Sequence, residues 1–283
     1  YIRNIDGIYH KMVDKWFNYS TLDCWINNDK KICYISNFYA DCDTNRKLTI
    51  QYFTSNLFNR LLELNGYRGI HSSCIEKDGN GTIFIGKRLA GKTTCMLHLC
   101  RSGFNFVNND TAAIKYFETE KQVEAFGIVK NIFIRMNKSF SIQPQNQKYL
   151  QIAEEQHVKC NDEVKLEKNR IVLTPLELAQ LNNIEFIPSV TLKAIIIPQY
   201  NPSLKELRIT LQDATIYREF FTSQILSLVH DTTSFLSDIS ISNSEICSIE
   251  DCISKLLLLP CYLCEYNENT LFGLPNAIQD ILK

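Results

Sequence analysis

The chain has 283 residues, with 30 Lys and Arg against 31 Asp and Glu, which leaves a formal net charge of -1. This length allows one large domain or two unequal ones, and 45% hydrophobic with 22% charged residues is ordinary globular composition. A near-neutral charge gives no reason to expect nucleic acid or an anionic membrane as a partner. The longest apolar runs are far shorter than the ~20 residues of a membrane helix, so we predict neither a nucleic-acid nor a membrane partner.

Cysteine usage indicates the expected compartment. The 11 cysteines are an odd number and too sparse for a disulfide scaffold, which favours reducing conditions. The first residues show no basic-then-apolar signal pattern, so we expect a cytoplasmic protein. Cys261 and Cys264 form a C-x-x-C pair, but no second pair follows, and the spacing does not predict zinc.

The elements begin with residues 1–48, whose short alternating stretches predict a small β-rich lead-in. Apolar residues then recur near the helical period, which predicts a helix over 49–65 that ends at Gly66. We place one domain boundary here, between the lead-in and a main domain of residues 49–283.

A hairpin follows the first helix. The turn residues Asp78 and Gly79 separate two β-branched runs, which predicts strands over 69–76 and 82–85. Later in the chain, an amphipathic pattern predicts a helix over 214–229 that packs on the sheet.

Residues 86–93 carry the most informative motif. They read Gly-Lys-Arg-Leu-Ala-Gly-Lys-Thr, which satisfies G-x-x-x-x-G-K-[ST], and they lie between the predicted strand 82–85 and a helix predicted over 94–102. Phosphate binding needs converging backbone N–H groups, an ammonium and a hydroxyl for Mg²⁺, which the last three residues of the motif supply. The alternative is an ordinary glycine-rich turn before a helix. The predicted ATP-binding residues of this segment are Gly86, Lys87, Arg88, Leu89, Ala90, Gly91, Lys92, Thr93 and Thr94.

An acidic residue follows the next predicted strand, over 104–107. In α/β nucleotide sites, the carboxyl end of the strand after the P-loop helix carries groups that meet the metal and the γ-phosphate. We therefore predict Asp110 as catalytic base or Mg²⁺ ligand, with Thr93 as a second metal ligand and Lys92 as the catalytic cation. The alternative for Asp110 is a turn or N-cap residue.

These residues resemble the HPr kinase/phosphorylase superfamily, especially the HPr-kinase-like enzymes found beside peptide-modification genes. Three blocks carry the resemblance: Ile70-His71 on the strand before the loop, the motif 86–93, and residues 101–110. The separation of His71 from Gly86 also equals the family spacing. Residues 192–200 and 259–263 are similar to later strands of the kinase-like branch, so the resemblance covers about residues 50–283.

The resemblance implies an α/β fold, namely the P-loop-containing mixed β-sheet kinase fold that HPr kinases share with phosphoenolpyruvate carboxykinases. It implies ATP and Mg²⁺ as cofactors and transfer of the γ-phosphate to a Ser or Thr hydroxyl of a peptide or small protein. His71 would then be a second polar group near the γ-phosphate, although a lone His on a strand is more often structural. Lys168 and Arg170 resemble basic residues of the kinase-like branch that reach ATP, although such charges are usually a solvated face.

Two positions depart from the family pattern. Leu89 stands where a third loop glycine is usual, and Asn109 stands where the first acid of an Asp-Asp pair is expected. They keep open a catalytically reduced nucleotide-binding scaffold of a biosynthetic complex, and a small-molecule hydroxyl kinase is a third alternative. The sequence does not decide the acceptor, the occurrence of a reverse reaction or whether the chain forms a homo-oligomer.

Overall fold

The computed structural model describes residues 8–14, 20–27, 32–39, 43–135, 147–149, 151–152, 170–228 and 247–283. The chain divides into two compact units, Tyr1–Gly69 with Leu226–Ile249 and Ile70–Ile225 with Glu250–Lys283. The predicted boundary between residues 48 and 49 stays a prediction. Among the described residues, no helix has the length and apolar character of a membrane span.

The first unit contains an antiparallel sheet of three strands and one long helix. The strands are β1 (Ile8–Asp14), β2 (Ser20–Asn27) and β3 (Ile32–Tyr39), in the order β1-β2-β3. Helix α1 (Asp43–Leu64) starts earlier than the sequence predicts. Its predicted end is confirmed, because Gly66 takes a φ of 83°, the left-handed conformation that glycine adopts at low cost.

Helix α1 buries a polar face within this unit. Asn59 Nδ2 donates a hydrogen bond to the Leu228 carbonyl oxygen at 2.8 Å, and Glu63 Oε1 accepts one from the Leu228 N–H at 2.9 Å. The helix therefore satisfies both backbone polar groups of Leu228, as buried peptide groups require.

The second unit is mixed α/β, and its centre is a nine-stranded mixed sheet. Its strands, together with two strands of a separate small sheet (β9 and β10), are β4 (Arg68–Lys77), β5 (Asn80–Ile85), β6 (Asn105–Asn108), β7 (Thr111–Phe117), β8 (Gln122–Gly127), β9 (Ile132–Arg135), β10 (Arg170–Leu173), β11 (Ser189–Tyr200), β12 (Arg208–Gln212), β13 (Ile225–Leu226) and β14 (Cys261–Tyr266). The order is β12-β14-β11-β5-β4-β7-β8, and β6 and β13 also pair with β4. Strand β11 runs parallel to β5 and β14, whereas β4 is antiparallel to β5.

The predicted hairpin is confirmed as β4 and β5. Asp78 and Gly79 both take positive φ values, 52° and 80°, as a two-residue turn between twisted strands requires. The hairpin delivers the chain from β5 directly into the glycine-rich motif, so the turn helps to fix where that motif begins.

The helices of this part of the chain are short. They are α2 (Lys92–Arg101), α3 (Pro175–Asn182), α4 (Arg218–Thr222), α5 (Ile249–Leu256) and α6 (Leu274–Leu282). The predicted helix over 214–229 is wrong, because that segment forms a 3-10 turn, α4 and then β13. The reason is tertiary pairing: the Gln224 carbonyl oxygen accepts a hydrogen bond from the His71 N–H at 2.9 Å, so the chain extends along β4.

One face of α2 belongs to the apolar core. Met96 and Leu99 of α2 are fully buried, in one cluster with Leu274 and Ile278 of α6. Truncating a buried side chain of this size typically costs about 2–5 kcal/mol, so this face fixes α2 firmly. The N-terminus of α2, where the motif ends, is therefore presented from a rigid base.

Candidate functional site

The motif forms a tight loop, residues 86–91, between β5 and α2, in the strand-to-helix context that the sequence predicts. Helix α2 begins at Lys92, two residues earlier than predicted. Leu89 and Gly91 take φ values of 70° and 98°, so the chain passes twice through the left-handed region. The first N–H groups of a helix have no partners within the helix and carry partial positive charge. This end of α2 therefore suits an anion.

Lys92 folds back over this motif loop. Its Nζ donates hydrogen bonds to the carbonyl oxygens of Gly86 at 2.7 Å and Lys87 at 3.2 Å, and the residue is buried. Burial lowers the pKa of Lys92 to about 8, while the negative charge of Asp110 opposes the shift. The ammonium is therefore still mostly protonated at neutral pH, and it is held by neutral carbonyl oxygens that an anion could replace.

Tyr266 of β14 contacts the loop, and it was not predictable from a motif because it is distant along the chain. Its hydroxyl donates a hydrogen bond to the Ala90 carbonyl oxygen at 3.2 Å, and its ring meets Tyr200 edge-to-face at 5.9 Å. Burial raises the pKa of Tyr266, so the hydroxyl stays a donor. A Cβ atom at Gly91 would lie 1.5 Å from the Tyr266 hydroxyl oxygen, which explains the need for glycine there.

We expect Gly91→Ala to disrupt the loop and to weaken ATP binding at least about tenfold. A non-glycine residue in the left-handed region costs about 1–2 kcal/mol, and the clash with Tyr266 adds to that cost. Calorimetric titration with ATP and Mg²⁺, beside thermal unfolding, measures the effect. Gly103→Ala is the matched control, since Gly103 has a φ of 86° but nothing within 4 Å of its Cβ position. Equal ATP affinity of both variants would contradict the role of the clash.

The side-chain oxygen of Asn109, just after β6, connects the first turn of α2 to β4. Asn109 Oδ1 accepts a hydrogen bond from Thr93 Oγ1 at 2.8 Å and a second from Ser73 Oγ at 3.2 Å. A carboxylate oxygen would accept the same two bonds. Asn109, which stands where an acid is expected, therefore still provides the acceptor that orients Thr93. The Thr93 oxygen retains lone pairs for a cation.

Asp110 lies beside this group in a left-handed conformation, with a φ of 81°. Its main-chain oxygen accepts hydrogen bonds from the Ser72 N–H at 3.2 Å and from His71 Nδ1 at 2.8 Å. The carboxylate is about half exposed, with His71 Nδ1 3.4 Å from Oδ1 and Lys130 Nζ 3.8 Å from Oδ2. The backbone is thus held from β4 while the carboxylate faces solvent.

Burial lowers the pKa of His71, and the positive charge of Lys92 adds to that effect, whereas the charge of Asp110 acts in the opposite direction. Because a carbonyl oxygen can only accept, the ring proton is assigned to Nδ1, and Nε2 is left as an acceptor.

The structure brings His71, Lys92, Thr93 and Asp110 together at one end of the sheet. Lys87, Arg88, Leu89 and Thr94 are exposed, and Leu89 is 76% accessible. Lys168 lies outside the described residues, and Arg170 is described only as the first backbone position of β10. Lys130, which follows β8, is a site residue that sequence reasoning missed, because it belongs to no motif.

The residues present fit a nucleotide phosphate with Mg²⁺. Thr93, Asn109 and Asp110 offer hard oxygen donors, which Mg²⁺ prefers, and in phosphoryl-transfer sites the metal usually takes one or two protein ligands and completes its shell with phosphates and water. Among the described residues there is no group of three or more His, Cys, Asp or Glu that could hold a metal. Lys92 and the N-terminus of α2 would hold the phosphates.

Comparisons with known proteins are distant. No protein-family model and no curated protein matches the chain. Among solved structures it is similar to the Hpr(Ser) kinase/phosphatase from Coxiella burnetii, at 10% identity and a TM-score of 0.35, over 75% of this chain and 92% of that chain. A likeness at this level does not establish an activity for this chain.

Proposed function

We propose that the chain is an ATP-dependent kinase that transfers the γ-phosphate to a Ser or Thr hydroxyl of a peptide or small protein. One observation carries the proposal: the buried Lys92 ammonium is held within a G-x-x-x-x-G-K-T motif, and Asn109, which accepts a hydrogen bond from Thr93 of the same motif, directly precedes Asp110. A phosphate-binding cation and an accessible carboxylate are the two charges that phosphoryl transfer requires.

The loop side of the site would bind the nucleotide. Lys92 would exchange its contacts to the Gly86 and Lys87 carbonyl oxygens for oxygens of the β- and γ-phosphates, as charge-assisted hydrogen bonds favour. Thr93 and Asp110 would hold Mg²⁺, with Asn109 orienting the Thr93 hydroxyl. When bound, Mg²⁺ would neutralise negative charge on the phosphates.

The Asp110 side of the site would meet the acceptor. As the bond from the γ-phosphorus to the ADP oxygen breaks, the bond to the acceptor oxygen forms, and the hydroxyl proton passes to the Asp110 carboxylate. Hydrogen bonds from Ser72 and His71 to the Asp110 main-chain oxygen hold the backbone from which the carboxylate extends. Such positioning supplies most of the catalysis in phosphoryl transfer.

The two departures from the family pattern are compatible with this chemistry. Leu89 adopts the left-handed conformation that a glycine would take, and its side chain extends into solvent. Asn109 keeps the oxygen that accepts from Thr93. Both features support an active kinase over a catalytically reduced scaffold.

The purified chain, ATP labelled at the γ-position and Mg²⁺, offered to a panel of Ser and Thr peptides and of small hydroxyl compounds, tests the proposal. Label on Ser or Thr peptides, lost when the acceptor residue is changed to Ala, would support it. ATP binding without transfer to any acceptor would favour the scaffold, and transfer to small molecules alone would favour the third alternative. Absence of ATP binding would overturn all three readings.

Removing the Asn109 acceptor should change the Mg²⁺ requirement. We expect Asn109→Leu to raise the Mg²⁺ concentration for half-maximal transfer about tenfold, since a hydrogen bond of about 1–1.5 kcal/mol that orients Thr93 is lost. Asn109→Asp keeps the acceptor and adds a negative charge, so its rate of transfer at a given Mg²⁺ concentration should equal or exceed that of the parent. Ser73→Ala is the control, because it leaves the bond from Thr93 to Asn109 intact. An unchanged Mg²⁺ dependence of Asn109→Leu would show that Thr93 needs no such support.

A further inference from the structure

Lys130 approaches Asp110 from a part of the chain that the motif does not include. It follows β8, and its Nζ lies 3.1 Å from Thr111 Oγ1, to which it donates, and 3.8 Å from Asp110 Oδ2. His71 lies near the other carboxylate oxygen, Oδ1. The Asp110 carboxylate therefore has the imidazole on one oxygen and the ammonium of Lys130 on the other.

Both partners of this ion pair are accessible. The Lys130 side chain is 45% exposed and that of Asp110 is 54% exposed, so both are open to a ligand from solvent. A surface ion pair is worth only about 0–1 kcal/mol, so pairing alone does not account for the convergence of Lys130 and His71 on one carboxylate.

We propose that Lys130 is a catalytic residue that contacts the transferred γ-phosphoryl group; this inference rests on the proposed kinase function. During transfer, negative charge spreads over the equatorial oxygens of the phosphoryl group, between the breaking bond to ADP and the forming bond to the acceptor. The ammonium of Lys130 moves from Asp110 Oδ2 to one of these oxygens on its flexible stem. The same movement removes the positive charge from Oδ2, which keeps only the long hydrogen bond from Thr111 Oγ1 at 3.5 Å and can take the acceptor proton.

Because this contact is made in the transition state, it should affect the rate and leave ground-state binding of ATP unchanged. Lys130→Met keeps the stem and removes the charge, and Lys130→Arg keeps a charge. Lys121→Met is the matched control, since Lys121 lies at the turn of the β7–β8 hairpin, where Phe117 pairs with Gln122 at the end away from Lys130.

Two measurements that need no identified acceptor test the inference. Calorimetry gives the Kd for ATP with Mg²⁺ and for ADP with Mg²⁺ and aluminium fluoride, a mimic of the transferred group. Single-turnover kinetics give the rate of labelled γ-phosphate transfer to water. For Lys130→Met we expect an unchanged Kd for ATP, at least about tenfold weaker binding of the mimic and an approximately hundredfold slower turnover, the loss typical of one transition-state hydrogen-bond donor. Lys130→Arg should recover part of the rate, and Lys121→Met should match the parent.

Parent-like mimic binding and turnover by Lys130→Met would overturn the inference alone, provided that the parent binds ATP and turns it over. An equal loss of affinity for ATP and for the mimic would overturn it as well, because Lys130 would then be a ground-state phosphate ligand. A parent that binds neither ATP nor the mimic would refute the proposed function, and the role of Lys130 with it.

Discussion

Replacing Lys92 with alanine should weaken ATP binding about ten- to a hundredfold and abolish phosphoryl transfer. Hydrogen bonds to charged groups contribute about 1.5–3 kcal/mol, and a buried ammonium facing phosphate has no substitute in solvent. In the structure this ammonium is already held inside the loop by the carbonyl oxygens of Gly86 and Lys87. The Lys92 side chain therefore loses little conformational entropy when the ligand binds. Titration with ATP and Mg²⁺, followed by single-turnover transfer, measures both effects.

Lys87→Ala provides the matched control for this experiment. Lys87 belongs to the same loop, but its side chain is exposed and only its backbone oxygen contacts Lys92. The control variant should keep most of the affinity for ATP. Affinity and turnover of Lys92→Ala that equal those of Lys87→Ala would exclude the loop as the phosphate site.

The local parts of the fold were predictable from the sequence, because each depends on neighbouring residues. Asp78 and Gly79 determine the hairpin through backbone conformations that few other residue pairs adopt. The motif 86–93 determines a loop between a strand and a helix for the same reason. The segment 214–229 could not be predicted in this way, since pairing of Gln224 with β4 overrides its helical spacing.

The candidate site could be predicted only where a motif indicated it. Lys92, Thr93 and Asp110 were predicted from the loop and from the strand that follows its helix, and their roles stay predictions. Tyr266 and Lys130 were not, because their roles depend on contacts between elements that are distant in sequence, to Ala90 and to Asp110. Asn109 lacks the charge of the expected acid but keeps an oxygen acceptor, and in the structure this oxygen accepts a hydrogen bond from Thr93.

Asp110→Asn should leave ATP bound and reduce phosphoryl transfer by about 10²–10⁴-fold, the contribution of a positioned general base. The two side chains have nearly the same shape, and Asn tolerates the left-handed φ of 81° at this position, so the fold should persist. The hydrogen bonds from Ser72 and His71 reach the main-chain oxygen and survive the change. What is lost is the group that accepts the proton, together with the negative charge that faces Lys130.

Single-turnover transfer of labelled γ-phosphate at saturating ATP, read for the parent and for Asp110→Asn, measures this loss. Asp78→Asn is the matched control, because Asp78 also has a positive φ, 52°, but belongs to the turn between β4 and β5. Titration with Mg²⁺ separates the two roles of Asp110: a metal ligand raises the Mg²⁺ concentration needed for ATP binding, whereas a base alone leaves it unchanged. Transfer by Asp110→Asn at the rate of the parent would show that another group accepts the proton, and His71, with Nε2 unprotonated, would then be the side chain to replace next.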